Sequence, residues 1–182
     1  MKKTNVWVLF CSLLLSSVLL VSCDDDDEDA DALMEQDRQR VAVFFQNAAV
    51  SDMFEIQTGQ MAQVKGETSD VETLGAMLVR DHTLSSNKIM DMADERDIQL
   101  QMTMPAPKQQ IMTRLNGLDG LPFDKDFAAV QVQAHQEAIA LYEQADKEIK
   151  DAEVQAFIDE TLPKLRTHLQ HARDTKTKVD GM

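Results

Sequence analysis

The sequence contains few of the residues that form tight turns and β-rich folds. It has six glycines and four prolines in 182 residues, and aromatic residues make up only 5%. Because β-sandwiches and barrels need many tight turns, this composition argues against both. The apolar fraction of 43% is still enough for one hydrophobic core.

Positive charge is also scarce. There are 18 lysines and arginines against 32 aspartates and glutamates, which gives a formal net charge of -14. Proteins that bind nucleic acid need a basic face for the phosphates, and polybasic membrane surfaces need clustered cations. We therefore expect no nucleic-acid partner and no membrane contact through a basic patch.

The N-terminus has the pattern of a secretory signal. Lys2 and Lys3 precede an apolar run over residues 6–20, and Ser22-Cys23 follows. A Cys directly after a small residue resembles a bacterial lipobox, so we predict a signal peptide over residues 1–22 and lipidation of Cys23. The alternative is an uncut signal anchor, although the apolar run is short for a membrane-spanning helix.

This processing removes thiol chemistry from the mature chain. The sequence has two cysteines, of which Cys11 would leave with the signal peptide and Cys23 would carry the lipid. Thiol catalysis, cysteine–zinc sites and iron–sulfur ligation are therefore excluded.

An acidic segment follows the lipidation site. Residues 24–31 are seven acids and one alanine, and like charges at this density repel one another. We predict that residues 23–34 form the lipidated Cys and a disordered tether in the bacterial envelope, most simply at the outer membrane. The acidic run is either a plain spacer or a sorting signal: it resembles the surface-export signal of Bacteroidota lipoproteins, whereas an aspartate there in proteobacteria resembles an inner-membrane retention signal.

The remaining chain shows helical periodicity and no competing strand pattern. Long amphipathic helices are predicted over about 35–63, 70–96, 124–150 and 152–175, with a short helix near 108–115. Each long helix would extend roughly 38 Å, and the long connection over 97–123 could cross that distance as in ferritin-like folds. We predict an all-α, ferritin-like four-helix bundle over 35–176, with a long crossover between helices 2 and 3 and a tail over 177–182.

Four polar residues, one from each long helix, fall on or near the apolar stripes: Glu55, His82, His135 and His168. With the predicted crossover they lie at similar depth, whereas without it their depths are more widely spread. A buried glutamate is costly unless it is paired. Imidazole and carboxylate together suit a divalent ion such as Zn, Fe, Mn or Cu, so these residues are candidate metal ligands. Asp81 is placed to orient one of the ligands. The alternative is a hydrogen-bonded polar cluster that only fixes helix register.

No catalytic residues are predicted. Di-iron carboxylate bundles use Glu-x-x-His on two helices, but Val79, Val132 and Leu165 stand three residues before the candidate histidines. No nucleophile–base pair is visible either. The two functions left open are a lipid-anchored module that binds a metal or small ligand, and a structural or protein-interaction bundle without a ligand.

Six short segments, taken in order, resemble the bacterial domain of unknown function 4142 family, which is described as ferritin-like and often labelled as an outer-membrane protein. They are Phe45-x-x-Ala48-Ala49, Glu55-Ile56-Gln57-Thr58-Gly59-Gln60-Met61-Ala62, Met77-x-x-x-Asp81-His82, Pro122-Phe123-Asp124-x-x-Phe127, Gln131-Val132-x-x-His135 and Thr161-Leu162-Pro163-x-Leu165-x-x-His168-Leu169. The resemblance covers about residues 38–173.

The resemblance implies a ferritin-like fold and an envelope location, and it supplies no reaction. The polar residues that recur in the family match those already singled out: Glu55, Asp81, His82, His135 and His168. The sequence departs from the family at Ala134, where Asp is frequent, and at Gln57, where a second Glu is common. Both departures reduce the number of carboxylates near the candidate site.

Overall fold

The computed structural model describes residues 25–182, and this part of the chain is helical throughout apart from the connections. Its helices are α1 (Asp25–Lys65), α2 (Ser69–Asp94), α3 (Ala106–Asn116), α4 (Gly120–Glu148) and α5 (Ala152–Asp180). No strand occurs among these residues, so the predicted all-α class is confirmed. The predicted signal peptide and Cys23 lie outside the described residues.

Between residues 25 and 182, no helix combines the length and the apolar character needed to cross a membrane.

Helix α1 begins earlier than the sequence predicts. Residues from Asp25 onward, which were predicted as a disordered tether, belong to the helix. Packing becomes continuous only from Val41, whereas Leu33 and Met34 remain about two-thirds exposed. Extending an existing helix gains one hydrogen bond for each added residue. The predicted disordered tether is therefore corrected to helix from Asp25 onward, because the helix propagates from the packed part of α1.

Helix α5 also extends further than expected. The residues predicted as a tail over 177–182 continue the helix to Asp180, and Val179 is fully buried. The helix begins where the sequence indicates, because the Asp151 side chain accepts hydrogen bonds from the backbone N–H groups of Glu153 and Val154. The apolar side chain of Val179 anchors the last turn, which the prediction had left outside the domain.

The polar contacts at the two ends of the domain define how the chain runs. At one end, Lys65 Nζ donates to the carbonyl oxygens of Asn116 and Leu118, at 3.0 and 2.9 Å. At the other end, the Arg96 guanidinium binds the Asp151 carboxylate between α4 and α5. The connection over 95–119 therefore leads from the end of α2 to the opposite end of the domain, where α4 begins.

The four long helices contact one another as neighbours: α1 with α2, α4 with α5, α1 with α4, and α2 with α5. Their buried side chains form two hydrophobic clusters. One includes Phe45, Met92 and Ile158 toward the Arg96 end, and the other includes Leu78 and Phe127 toward the Lys65 end. A layer of buried polar side chains lies between the two clusters.

Candidate metal centre

Three of the predicted site residues meet in the polar layer. His82 on α2, His135 on α4 and His168 on α5 are buried, with at most 4% of their surface exposed. One nitrogen of each imidazole lies within 4.8 Å of the other two, and the ring centroids are 5.4 to 5.6 Å apart. Helical spacing predicts that each of these side chains points inward, the predicted crossover places them at similar depth, and the packing of the three helices brings them together.

One nitrogen of each ring donates a hydrogen bond to an oxygen acceptor of the protein. The three bonds are His82 Nδ1 to Asp52 Oδ1 at 2.8 Å, His135 Nδ1 to the Gln131 carbonyl oxygen at 2.9 Å, and His168 Nε2 to Asp81 Oδ2 at 3.0 Å. Metal-binding histidines are held in this way, because the acceptor fixes the tautomer and the ring orientation.

The remaining nitrogens have no hydrogen-bond partner. These are His82 Nε2, His135 Nε2 and His168 Nδ1. A neutral imidazole with its proton on the acceptor side carries its lone pair on the opposite nitrogen. Each ring, once neutral, therefore keeps one nitrogen available to a metal, and the three rings together offer a group of nitrogens within 4.8 Å of one another.

The protonation states differ between the rings. Burial lowers the pKa of His135 to about 3 and that of His168 to about 4, and the charge on His82 lowers both further. Burial also disfavours charge on His82, but the hydrogen bond and the negative charge of Asp52 outweigh it and raise the pKa of His82 above its ordinary value. His135 and His168 are thus neutral near pH 7, whereas His82 holds a proton most readily.

Glu55 lies beside the histidines but outside their group. Its carboxylate is 1% exposed, and neither oxygen has a hydrogen-bond partner. Its contact with His135 is at 3.9 Å and involves Nδ1, the nitrogen already bonded to Gln131. Burial raises the pKa of Glu55 to about 7. The mutually close ligand atoms therefore come from three histidines, without the fourth ligand that the sequence suggested.

Asp81 orients an imidazole, as predicted, but the imidazole is that of His168 on α5 and not that of its sequence neighbour His82. It accepts the hydrogen bond from His168, and Arg80 binds both of its oxygens at 2.6 and 2.9 Å. The hydrogen bond from Arg80 is the main reason that the pKa of Asp81 falls to about 2, with His168 contributing. Asp81 is therefore a carboxylate acceptor over the whole neutral range.

Sequence reasoning missed Asp52 and Gln131. Asp52 is 4% exposed and stands four residues after Ala48 and three before Glu55, so helical spacing places it on the same buried face. That spacing was the available signal. Gln131 is fully buried four residues before His135, and its side chain also donates to Thr58 Oγ1 at 2.9 Å.

The arrangement suits a transition-metal ion. Three imidazole nitrogens can occupy three positions of a tetrahedral site, with the fourth left to water or another ligand. Imidazole binds Zn, Cu and Fe well, whereas Mg and Ca prefer oxygen ligands.

Comparison with known proteins identifies a family. Neither a curated protein nor a solved structure matches the chain significantly. The profile of the family described as "Domain of unknown function (DUF4142)" matches residues 26–175, a range that contains every residue of the histidine site. This confirms the family suggested by the ordered sequence segments, and the chain belongs to the DUF4142 family.

Proposed function

We propose that this chain is a lipid-anchored protein of the bacterial envelope whose ferritin-like four-helix bundle binds one divalent transition-metal ion through His82, His135 and His168. The observation that carries the proposal is the meeting of three buried imidazoles, each with one unpartnered nitrogen and with an acceptor at its other nitrogen.

The ferritin-like part of the proposal rests on the path of the chain. The connection over 95–119 leads from the Arg96 end of the domain to the Lys65 end, as the crossover of a ferritin-like bundle does. The envelope part rests on the signal-peptide pattern and on Cys23 at the lipobox position. The lipid would be the only membrane attachment, at the outer membrane and facing either the periplasm or the surface.

The number of unpartnered atoms favours a ligand over a purely structural network. Among the described residues, nine buried side-chain atoms lack a hydrogen-bond partner, and they come from the polar layer and its borders: Asp52, Glu55, His82, Ser85, Gln131, His135, Tyr142 and His168. Folded proteins leave few such atoms without a partner, because each one costs free energy. An ion with a bound water would satisfy the three nitrogens directly and provide hydrogen bonds to neighbouring oxygens.

Metal stoichiometry tests the proposal. The full chain is purified without a histidine tag and its metals are measured by mass spectrometry, beside a His82→Ala/His168→Ala variant. We expect about one metal ion per chain, and loss of that metal in the double variant. The matched control is His171→Ala, because His171 is exposed on the same helix as His168 and should leave the metal in place.

The same measurement distinguishes the alternative. If no Zn, Fe, Mn or Cu binds after reconstitution and the double variant is only less stable, the metal proposal is overturned. The polar layer would then fix the register of the helices, and the function would lie on the surface of an interaction protein.

The lipid anchor has its own test. Cells that express the full chain should incorporate labelled palmitate into it, and Cys23→Ser should abolish the label. Cys11→Ser is the control and should keep the label, because that cysteine lies inside the predicted signal peptide. Labelling of the Cys23→Ser variant would contradict the anchor.

A further inference from the structure

A cavity of about 110 Å³ between α2 and α5 reaches the histidine layer. His82 and His168 form part of its wall, together with Ser85 and Thr161. A volume of this size accommodates several water molecules or a small ion, and no larger organic ligand. The cavity therefore connects the two imidazoles with the surface of the protein.

The ligand set leaves a position for a molecule from this cavity. A tetrahedral ion held by three imidazoles keeps its fourth position for water or an exogenous ligand. The Glu55 carboxylate, which the sequence predicted as a fourth ligand, is not among the mutually close ligand atoms. The acceptor behind each imidazole holds the ring in place. Because no fourth residue of the described chain joins the three histidines, the fourth position is left to a ligand from the cavity.

The wall and the mouth of the cavity have polar groups of both charges. The Asp81 carboxylate lies in the wall, and the adjacent arginine pairs with its charge. Ser85 Oγ is buried and makes no hydrogen bond of normal geometry. Lys88 and Lys164 line the outer part, with about half of each side chain exposed, and they pair with Glu153 and Glu160. Because these lysines are neutralised by glutamates, the attraction for an anion would come mainly from the dication behind three neutral ligands.

We propose that the cavity between α2 and α5 delivers a small exogenous anion to an open fourth position on the metal. This inference rests on the proposed metal site. The ligand class is hydroxide or another anion of a few atoms, bound to the ion at one end and placed beside the Ser85 hydroxyl.

Cobalt substitution tests the inference with azide as the probe. The full chain is loaded with Co²⁺, and its visible absorption is followed during titration with azide. We expect a saturable shift with one azide per cobalt. If Co²⁺ gives no bound spectrum, the metal site itself fails. If Co²⁺ binds but its spectrum stays unchanged at high azide, the metal site stands and the open position is overturned.

Two variants locate the route of the anion. Thr161→Phe fills the cavity, and we expect azide binding to weaken by about tenfold or more while cobalt affinity changes little. Thr167→Phe is the control, because Thr167 is exposed on the same helix and does not line the cavity. Should Thr161→Phe fail to fold by circular dichroism, Ser85→Leu fills the same cavity from α2. Unchanged azide affinity in a folded cavity-filling variant would overturn the proposed route.

Discussion

This domain buries ionisable groups at Asp124 and in the histidine layer, and the two places differ in how completely these groups are hydrogen-bonded. Asp124 is fully buried, and its carboxylate accepts hydrogen bonds from Glu67 N, Thr68 N and Thr68 Oγ1 at 2.7 to 2.9 Å. In the histidine layer, by contrast, both Glu55 oxygens and one nitrogen of every buried imidazole lack a partner.

The difference separates the structural role of Asp124 from the binding role proposed for the histidine layer. Asp124 ties the start of α4 to the turn between α1 and α2, and all of its strong interactions are made within the fold. Asp124 shows that this domain can provide a full set of hydrogen-bond donors for a buried carboxylate. The unpartnered atoms of the histidine layer therefore support the proposed ligand over a purely structural network.

The largest expected effect is at Asp124. Replacing it with alanine leaves two backbone N–H groups and a hydroxyl without their acceptor, which should lower the free energy of unfolding by about 3 to 5 kcal/mol. Urea denaturation measures the change. Asp119→Ala is the control, because the Asp119 side chain is 81% exposed in its ion pair with Lys65 and its loss should cost about 1 kcal/mol or less. A loss at Asp124 as small as that of the control would contradict its structural role.

The next effect is a pH dependence at Glu55. Burial raises its pKa from 4.5 to about 7, so the folded chain binds this proton more tightly than the unfolded chain. Stability should therefore fall as pH rises through the interval between these two values and level off above it. Glu55→Gln removes this loss. In metal-free protein, the free energy of unfolding of the variant minus that of wild type should therefore rise by on the order of 3 kcal/mol between about pH 4 and about pH 8.

Urea denaturation across that pH range checks the prediction. Glu72→Gln is the matched control, because Glu72 is exposed and its replacement should show no such trend. A constant difference between the Glu55→Gln variant and wild type over the whole range would show that the buried carboxylate does not titrate as described.

The third effect is stabilisation by metal. Free Zn²⁺ at about 100 times its dissociation constant should raise the free energy of unfolding by about 2.7 kcal/mol, because the ion binds only the folded chain. The His82→Ala/His168→Ala variant should show no such rise, whereas His171→Ala should match wild type. Equal stabilisation of all three proteins in thermal unfolding would place the zinc elsewhere.

The smallest effect distinguishes the carboxylates behind the histidines. Asp52→Asn and Asp81→Asn each weaken the acceptor that orients one imidazole, which should reduce metal affinity by about 10- to 100-fold without changing stoichiometry. Asp52 should matter more, because its side chain is 5% exposed against 22% for Asp81. Competition with a chromophoric chelator measures both. An affinity equal to wild type in the Asp52 variant would contradict its orienting role.

Much of the fold and part of the site follow from helical periodicity. The direction of each side chain around a helix advances by about 100° per residue, and this was enough to predict that His82, His135 and His168 point inward. Their similar depth followed from the rise per residue together with the predicted crossover. The long connection over 97–123 likewise predicted a chain that returns to the end where α1 stops, and the contacts of Lys65 are consistent with that path.

Periodicity does not determine which polar groups meet. Whether Glu55 or Asp52 reaches an imidazole depends on the rotamers and on the rotation of α1 against α2, neither of which the sequence pattern contains. The two side chains stand three residues apart on one face, yet the bond to His82 comes from Asp52. The start of α1 was missed for a different reason, because helix propagation into an acidic segment leaves no apolar repeat.

The most direct test of the metal site is anomalous diffraction from crystals of the zinc-loaded protein. The account predicts one peak in the polar layer, at about 2.0 to 2.1 Å from His82 Nε2, His135 Nε2 and His168 Nδ1. A layer filled with water molecules and free of any anomalous peak, in crystals grown with excess zinc, would contradict it.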